Sequence, residues 1–122
     1  DEFKNISTKL KRVEFKHCDF RDAIRRVKSD DFMYLDPPYA PETKTSFVGY
    51  TKDGIGLKDH ETLFEMTKAS GAQFVMSNAG VDLVRRTFGD YKISDVKARR
   101  SINSKNPEST TTEVIVSSCH PK

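Results

Sequence analysis

The stretch Phe32-Met33-Tyr34-Leu35-Asp36-Pro37-Pro38-Tyr39-Ala40-Pro41 decides how the rest of the chain is read. A short continuous apolar run such as Phe32 to Leu35 predicts a strand buried on both faces, as in a parallel sheet. The run ends on a carboxylate. Two prolines follow, which fix φ and remove two backbone donors, so the chain turns away with its carbonyls free. In open α/β sheets, ligands collect at the carboxyl ends of the strands, which is where Asp36 stands. A carboxylate and a proline carbonyl are both acceptors and can converge on one amino group, while the Tyr39 ring can lie flat against the ring that bears it. The pattern fits an exocyclic amine on a planar heterocycle. The competing reading is a strand-terminating Asp-Pro turn without chemistry.

Outward from this turn the chain alternates helical and extended patterns. Upstream, Ile6, Leu10 and Val13 have the spacing of a short helix, and Val13 to Cys18 alternates apolar and polar as a strand does. Asp19 then stands as the N-cap of a helix over Phe20 to Val27. Downstream, residues 36–56 form a long loop rich in Pro, Gly and Thr, a length that marks function or disorder in compact domains. Leu57 to Ser70 carries Leu63, Phe64 and Met66 at helical spacing, with Gly71 as its C-cap. Gln73 to Ser77 reads as a buried strand, Val81 to Phe88 as a helix closed by Gly89, and Tyr91 to Val96 as a strand. Residues 99–111 are polar and irregular, and Glu113 to Ser118 is the last strand. The order predicts a single domain over residues 1–122, an α/β sheet that is mostly parallel with an antiparallel final strand, the last two strands pairing antiparallel at one edge.

A chain of 122 residues is long enough for one core. Its 35% hydrophobic and 32% charged content implies a thin core, a wet surface or a piece of something larger. The net charge of +3 is compatible with an anionic partner without demanding one. Cys18 and Cys119 lie far apart, with neither CxxC spacing nor a disulfide-dense pattern. With no secretory signal and no long apolar span, this points to a reducing, cytoplasmic setting and no membrane. The histidines His17, His60 and His120 are scattered and suggest no metal site. Cys18 reads as a buried small apolar residue. The first residue is Asp1 rather than Met, so the chain is read as a processed, cloned or truncated segment.

Asp36-Pro37-Pro38-Tyr39 followed by Ala40-Pro41 resembles the catalytic motif of the S-adenosylmethionine-dependent amino-group methyltransferases, and in particular of the Dam-type DNA adenine-N6 methyltransferases. Thr45 to Thr51 resembles that family's Phe-x-x-Tyr segment. Ser77-Asn78 falls at the end of the next strand as in the family, and Arg99 to Ile102 matches its Arg-Arg-Ser-Ile element. Cys18 to Phe20 falls where an earlier motif would meet the cofactor's adenosine. The resemblance runs in consistent order from Val13 to Ser118. It implies a Rossmann-like methyltransferase sheet acting on an adenine flipped out of double-stranded DNA. Asp36 and the Pro37 carbonyl would accept hydrogen bonds from N6, Tyr39 would stack on the base, and no metal is implied. Asp19, Phe20 and Asp36 would bind the cofactor, although Asp19 also reads as a plain N-cap. Phe47 and Tyr50 would cover the flipped base or the cofactor, or else anchor their loop. Arg99, Arg100 and Lys105 would neutralise phosphates, with Ser101 and Asn103 donating to backbone oxygens.

The same resemblance implies that the chain is incomplete. The family's Gly-rich turn after the first strand is absent, since Gly54-Ile55-Gly56 sits inside the long loop. In the family's sheet, Val13 to Cys18 lies two strands away from Phe32 to Leu35, and those two strands belong to an N-terminal half not present here. Either the chain works with that half as partner, or the two strands collapse onto each other. A nucleic-acid-binding remnant without chemistry, and an rRNA base N-methyltransferase, are the alternative functions.

Overall fold

The structure is a computed structural model and describes residues 2–41, 55–99 and 110–119. Its elements in chain order are α1 (Glu2–Leu10), α2 (Phe20–Ile24), β1 (Phe32–Leu35), α3 (Leu57–Ala69), β2 (Gln73–Ala79), α4 (Asp82–Thr87), β3 (Lys92–Arg99) and β4 (Thr110–Ser117). The strands form one sheet in the order β1-β2-β4-β3. β1 pairs parallel to β2, with Met33 opposite Phe74 and Leu35 opposite Met76. β4 enters between β2 and β3 and runs antiparallel to both, so β1, β2 and β3 share one direction. This is the mixed α/β sheet that the alternation of patterns predicts.

Among the described residues, helices cover one face of the sheet. Alternation along the strands puts Met33, Phe74, Met76, Val114 and Val116 on a common face. There they join a single core with Ile24 of α2, Leu63 and Phe64 of α3, and Val84 and Phe88 near α4. The Phe88 ring meets Phe64 edge-on at 5.2 Å and touches Phe74 and Tyr91 at 5.8 and 5.6 Å. The opposite face carries Phe32, Tyr34, Val75, Ile115 and Val96, none of which is buried. Phe32 is 58% and Tyr34 69% exposed. The expectation that Phe32 to Leu35 is buried on both faces is therefore corrected. β1 is a sheet edge here, and no described helix covers its second face.

Two further expectations fail for a related reason. Val13 to Cys18 forms no strand; residues 13–19 run as an irregular connector, with Phe15 77% exposed. An extended segment needs a neighbour to take its N–H and C=O groups, and among the described residues no strand lies beside it. It does not collapse onto β1 either. Cys18, on this connector, is exposed rather than buried. The helix expected over Phe20 to Val27 ends its α-helical turns at Ile24. Arg26 and Val27 then donate to Ala23 and Ile24 in tighter turns. Gly71 closes α3 with φ of +68°, the left-handed conformation that favours glycine.

Candidate active site

The Asp36-Pro37-Pro38-Tyr39 turn leaves β1 at its carboxyl end, and three side chains from the central strands hold it. Ser77 of β2 donates through its hydroxyl to Asp36 Oδ1 at 2.6 Å. The Tyr39 hydroxyl donates to Glu113 Oε2 of β4 at 3.0 Å. The Ala40 N–H donates to Asn78 Oδ1 at 2.9 Å, and Asn78 is fully buried. The same oxygen accepts from the Ala79 N–H. Successive residues of β2 thus serve opposite faces. Ser77 reaches the acid, and Asn78 anchors the backbone where the chain turns over the end of the sheet.

Asp36 remains exposed despite its bond to Ser77. Tyr39 is half-buried. Burial pushes its phenol above its ordinary value; the hydrogen bond and charge of Glu113 and the charge of Asp36 add to this, and the Ser77 hydroxyl opposes it. A cavity of about 220 Å³ opens beside the turn at the free edge of β1, lined by Phe20, Tyr34, Leu35, Asp36, Pro37, Pro38, Ile55 and Leu63. It is smaller than the ~300–1,000 Å³ of drug-sized ligand pockets. Its walls are apolar or aromatic, with the Asp36 carboxylate as the ionised group, which suits one flat heterocycle bearing donors.

Phe20 reaches the cavity because α2 is clamped to α3. The Arg21 guanidinium bonds Asp19 and Asp59 and lies 4.4 Å from the centre of the Phe20 ring. Asp59 also accepts from the Gly56 N–H at the start of α3. That backbone bond, followed by Arg21, holds the Asp59 carboxyl below its usual range, and Asp59 in turn raises Arg21. Asp19 is the helix cap that one of its two readings predicts, accepting from the Arg21 N–H at 2.8 Å.

The structure therefore brings Asp36, Pro37, Pro38 and Phe20 to one cavity, with Tyr39 beside them and Asp19 one residue before Phe20. Phe47, Tyr50, Arg100, Ser101, Asn103 and Lys105 lie outside the described residues, and Arg99 is described only as the last residue of β3. Sequence reasoning missed the roles of Ser77, Asn78, Glu113 and Arg21. Glu113 had one signal, a lone acid directly before the apolar run Val114 to Val116. Among the described residues, no helix is long and apolar enough to cross a membrane, and no group of three or more His, Cys, Asp or Glu residues is placed to hold a metal.

The model of the D12 class N6 adenine-specific DNA methyltransferase family matches residues 1–102. A DNA adenine methylase of Haemophilus influenzae is 32% identical over 113 residues, 88% of this chain and 39% of the relative. A type II methyltransferase of Methanocaldococcus jannaschii is 36% identical over 107 residues, 84% of this chain and 37% of the relative. A type II methyltransferase of Lactococcus lactis is 31% identical over 109 residues, 85% of this chain and 38% of the relative. The chain spans about two fifths of the length of these curated relatives. The matched span contains α1 to β3 and the whole Asp-Pro-Pro-Tyr turn with its Ser77 and Asn78 supports, and on that ground the chain belongs to the D12 class of N6 adenine-specific DNA methyltransferases.

Proposed function

We propose that this chain carries the catalytic turn of an enzyme that methylates adenine N6 in double-stranded DNA, and that it acts together with the remainder of that enzyme. The observation that carries the reading is the exposed Asp36 carboxylate at the end of β1, held by Ser77 beside a largely apolar cavity. An adenine N6 inside a duplex is out of reach, so the base must leave the stack. Asp36 and the Pro37 carbonyl then accept from the two N6 hydrogens, drawing the nitrogen lone pair out of conjugation. Tyr39 stacks on the base. Asp36 acts chiefly by orienting the amine, and alignment accounts for most of the acceleration.

The cavity suits S-adenosylmethionine in part. Phe20 supplies an aromatic wall and Asp36 an acceptor, while the family's glycine turn is not in the sequence. When bound, S-adenosylmethionine supplies the methyl group. Phe20 and Asp19 would hold its adenosine end and Asp36 the end nearest the turn. The unpaired edge of β1 and the uncovered Phe32 and Tyr34 support completion of a Rossmann-like sheet by an N-terminal portion. Phe47 and Tyr50 would close over the base. Arg99, Arg100 and Lys105 would meet phosphates, with Ser101 and Asn103 beside them. A DNA substrate places the enzyme inside the cell.

The test mixes the chain with labelled S-adenosylmethionine, a duplex of mixed sequence and the N-terminal portion of a family member. Label should enter the duplex when all are present and should be lost with Asp36→Ala. Efficient transfer by the 122 residues alone would refute the need for a complement. Duplex binding indifferent to Asp36→Ala, with no transfer under any complement, would establish a binding remnant instead.

A further inference from the structure

We propose that Glu113 is a positioning residue for Tyr39: bonded to the phenol hydroxyl, its carboxylate fixes the ring and enriches its π face toward the amine that is being methylated. This rests on the function proposed above. The supporting geometry is a pair of parallel devices. β2 sends Ser77 to the acid of the turn, and β4 sends Glu113 to its phenol. Glu113 sits opposite Ala79 on β2 and Val96 on β3. Glutamate is mildly depleted in strands, and Glu113 sits midway along β4 beside Val114, which with Val116 is fully buried. A glutamate there gains little from packing, and the contact described for it is Tyr39, 74 residues away in sequence.

The chemistry gives the contact a purpose. When an exocyclic amine is alkylated, its lone pair becomes the new N–C bond and the donor keeps the electron pair of the bond it gives up. The nitrogen is cationic until one N–H proton leaves to water. A cation is attracted to the face of an aromatic ring. A phenol that donates to a carboxylate makes a charge-assisted bond, roughly twice as strong as a neutral one, which polarises the oxygen and the ring. Tyr39 is so placed, with Asp36, Ser77 and Glu113 around it. Glu113 therefore acts through Tyr39 and does not touch the base.

Two measurements test this. The first uses the chain as it is, with ring-labelled tyrosine followed by NMR against pH and Tyr39→Phe to assign the signal. Glu113→Gln, which keeps size and an acceptor but removes the charge, should let Tyr39 ionise at lower pH than in the parent chain. An unchanged Tyr39 titration overturns the proposal. The second uses the complemented enzyme in single turnover. Glu113→Gln should slow transfer about tenfold, as for loss of charge assistance, with little change in the duplex KM. On a Tyr39→Phe background the same substitution should have no further effect, because the two act as a unit. A full rate for Glu113→Gln, or additive losses in the double variant, refutes it. If the parent enzyme transfers no methyl group although the titration shift is present, the enzymatic reading fails and the contact stands.

Discussion

Replacing Asn78 with alanine removes the acceptor that fixes the backbone just after the Asp-Pro-Pro-Tyr turn. Ala40 is 3% exposed, and its N–H lies 2.9 Å from Asn78 Oδ1, so the substitution leaves a buried donor unpaired. That costs ~1–3 kcal/mol. Asn78 Nδ2 is itself buried without a partner among the described residues, and deleting it relieves a penalty of the same kind. These two effects roughly cancel, so the sign falls to what remains. The Ala79 N–H loses its bond to the same oxygen, worth ~0.5–1.5 kcal/mol. A void opens at a fully buried position, costing on the order of 1 kcal/mol. The net loss is ~1.5–2.5 kcal/mol, or a fall in Tm of roughly 6–10 °C for a domain of this size. Urea unfolding followed by circular dichroism should show an earlier midpoint at unchanged slope. Asn78→Leu, which fills the void and still lacks the acceptor, should fall between alanine and the parent. An alanine variant unfolding at the parent midpoint or later would show that Ala40 finds another partner and that the carboxamide is not the anchor of the turn.

Three other outcomes follow from the packing. Phe88→Ala removes the fully buried ring that touches Phe64, Phe74 and Tyr91. It should cost ~3–5 kcal/mol, a large share of the ~5–15 kcal/mol that holds an ordinary domain folded, visible as a much earlier urea midpoint. Burial holds the His60 imidazole below its ordinary 6.5, against the pull of Asp59. The folded chain then binds fewer protons than the unfolded one, so stability falls as pH drops from 6.5 to the depressed folded value, at up to about 1.4 kcal/mol per pH unit. His60→Gln should flatten that limb of the urea midpoint against pH, and equal slopes in both proteins would rule it out. Gly71→Ala meets no atom within 4 Å but keeps a φ of +68°. It should lose ~1–2 kcal/mol by backbone strain, while a neutral result would mean that the end of α3 rearranges.

The helices and strands from Phe20 onward were legible because each carries its own periodicity and punctuation. Gly71 ends α3 and Asp19 caps α2 as their residue types require. Val13 to Cys18 misled for the opposite reason. Its alternation is genuine, but a strand exists only by pairing, and nothing local can say whether a neighbour is there. Phe32 to Leu35 was read as buried on both faces because its run is apolar, and that run says nothing about what lies on either side. The acid and prolines of the candidate site could be found in sequence because they are contiguous. Their supports could not, since Ser77 lies 41 residues from Asp36 and Glu113 lies 74 from Tyr39.

That an acid, two donor-free residues and a phenol end an apolar strand is legible from their covalent order along the chain. Tertiary structure alone decided which atoms those groups face. Insertion of β4 between β2 and β3 puts Glu113 beside the turn, and strand alternation divides Ser77 and Asn78 between side chain and backbone. Orientation of this kind depends on register between distant segments, and a one-residue slip would turn each support to the other face.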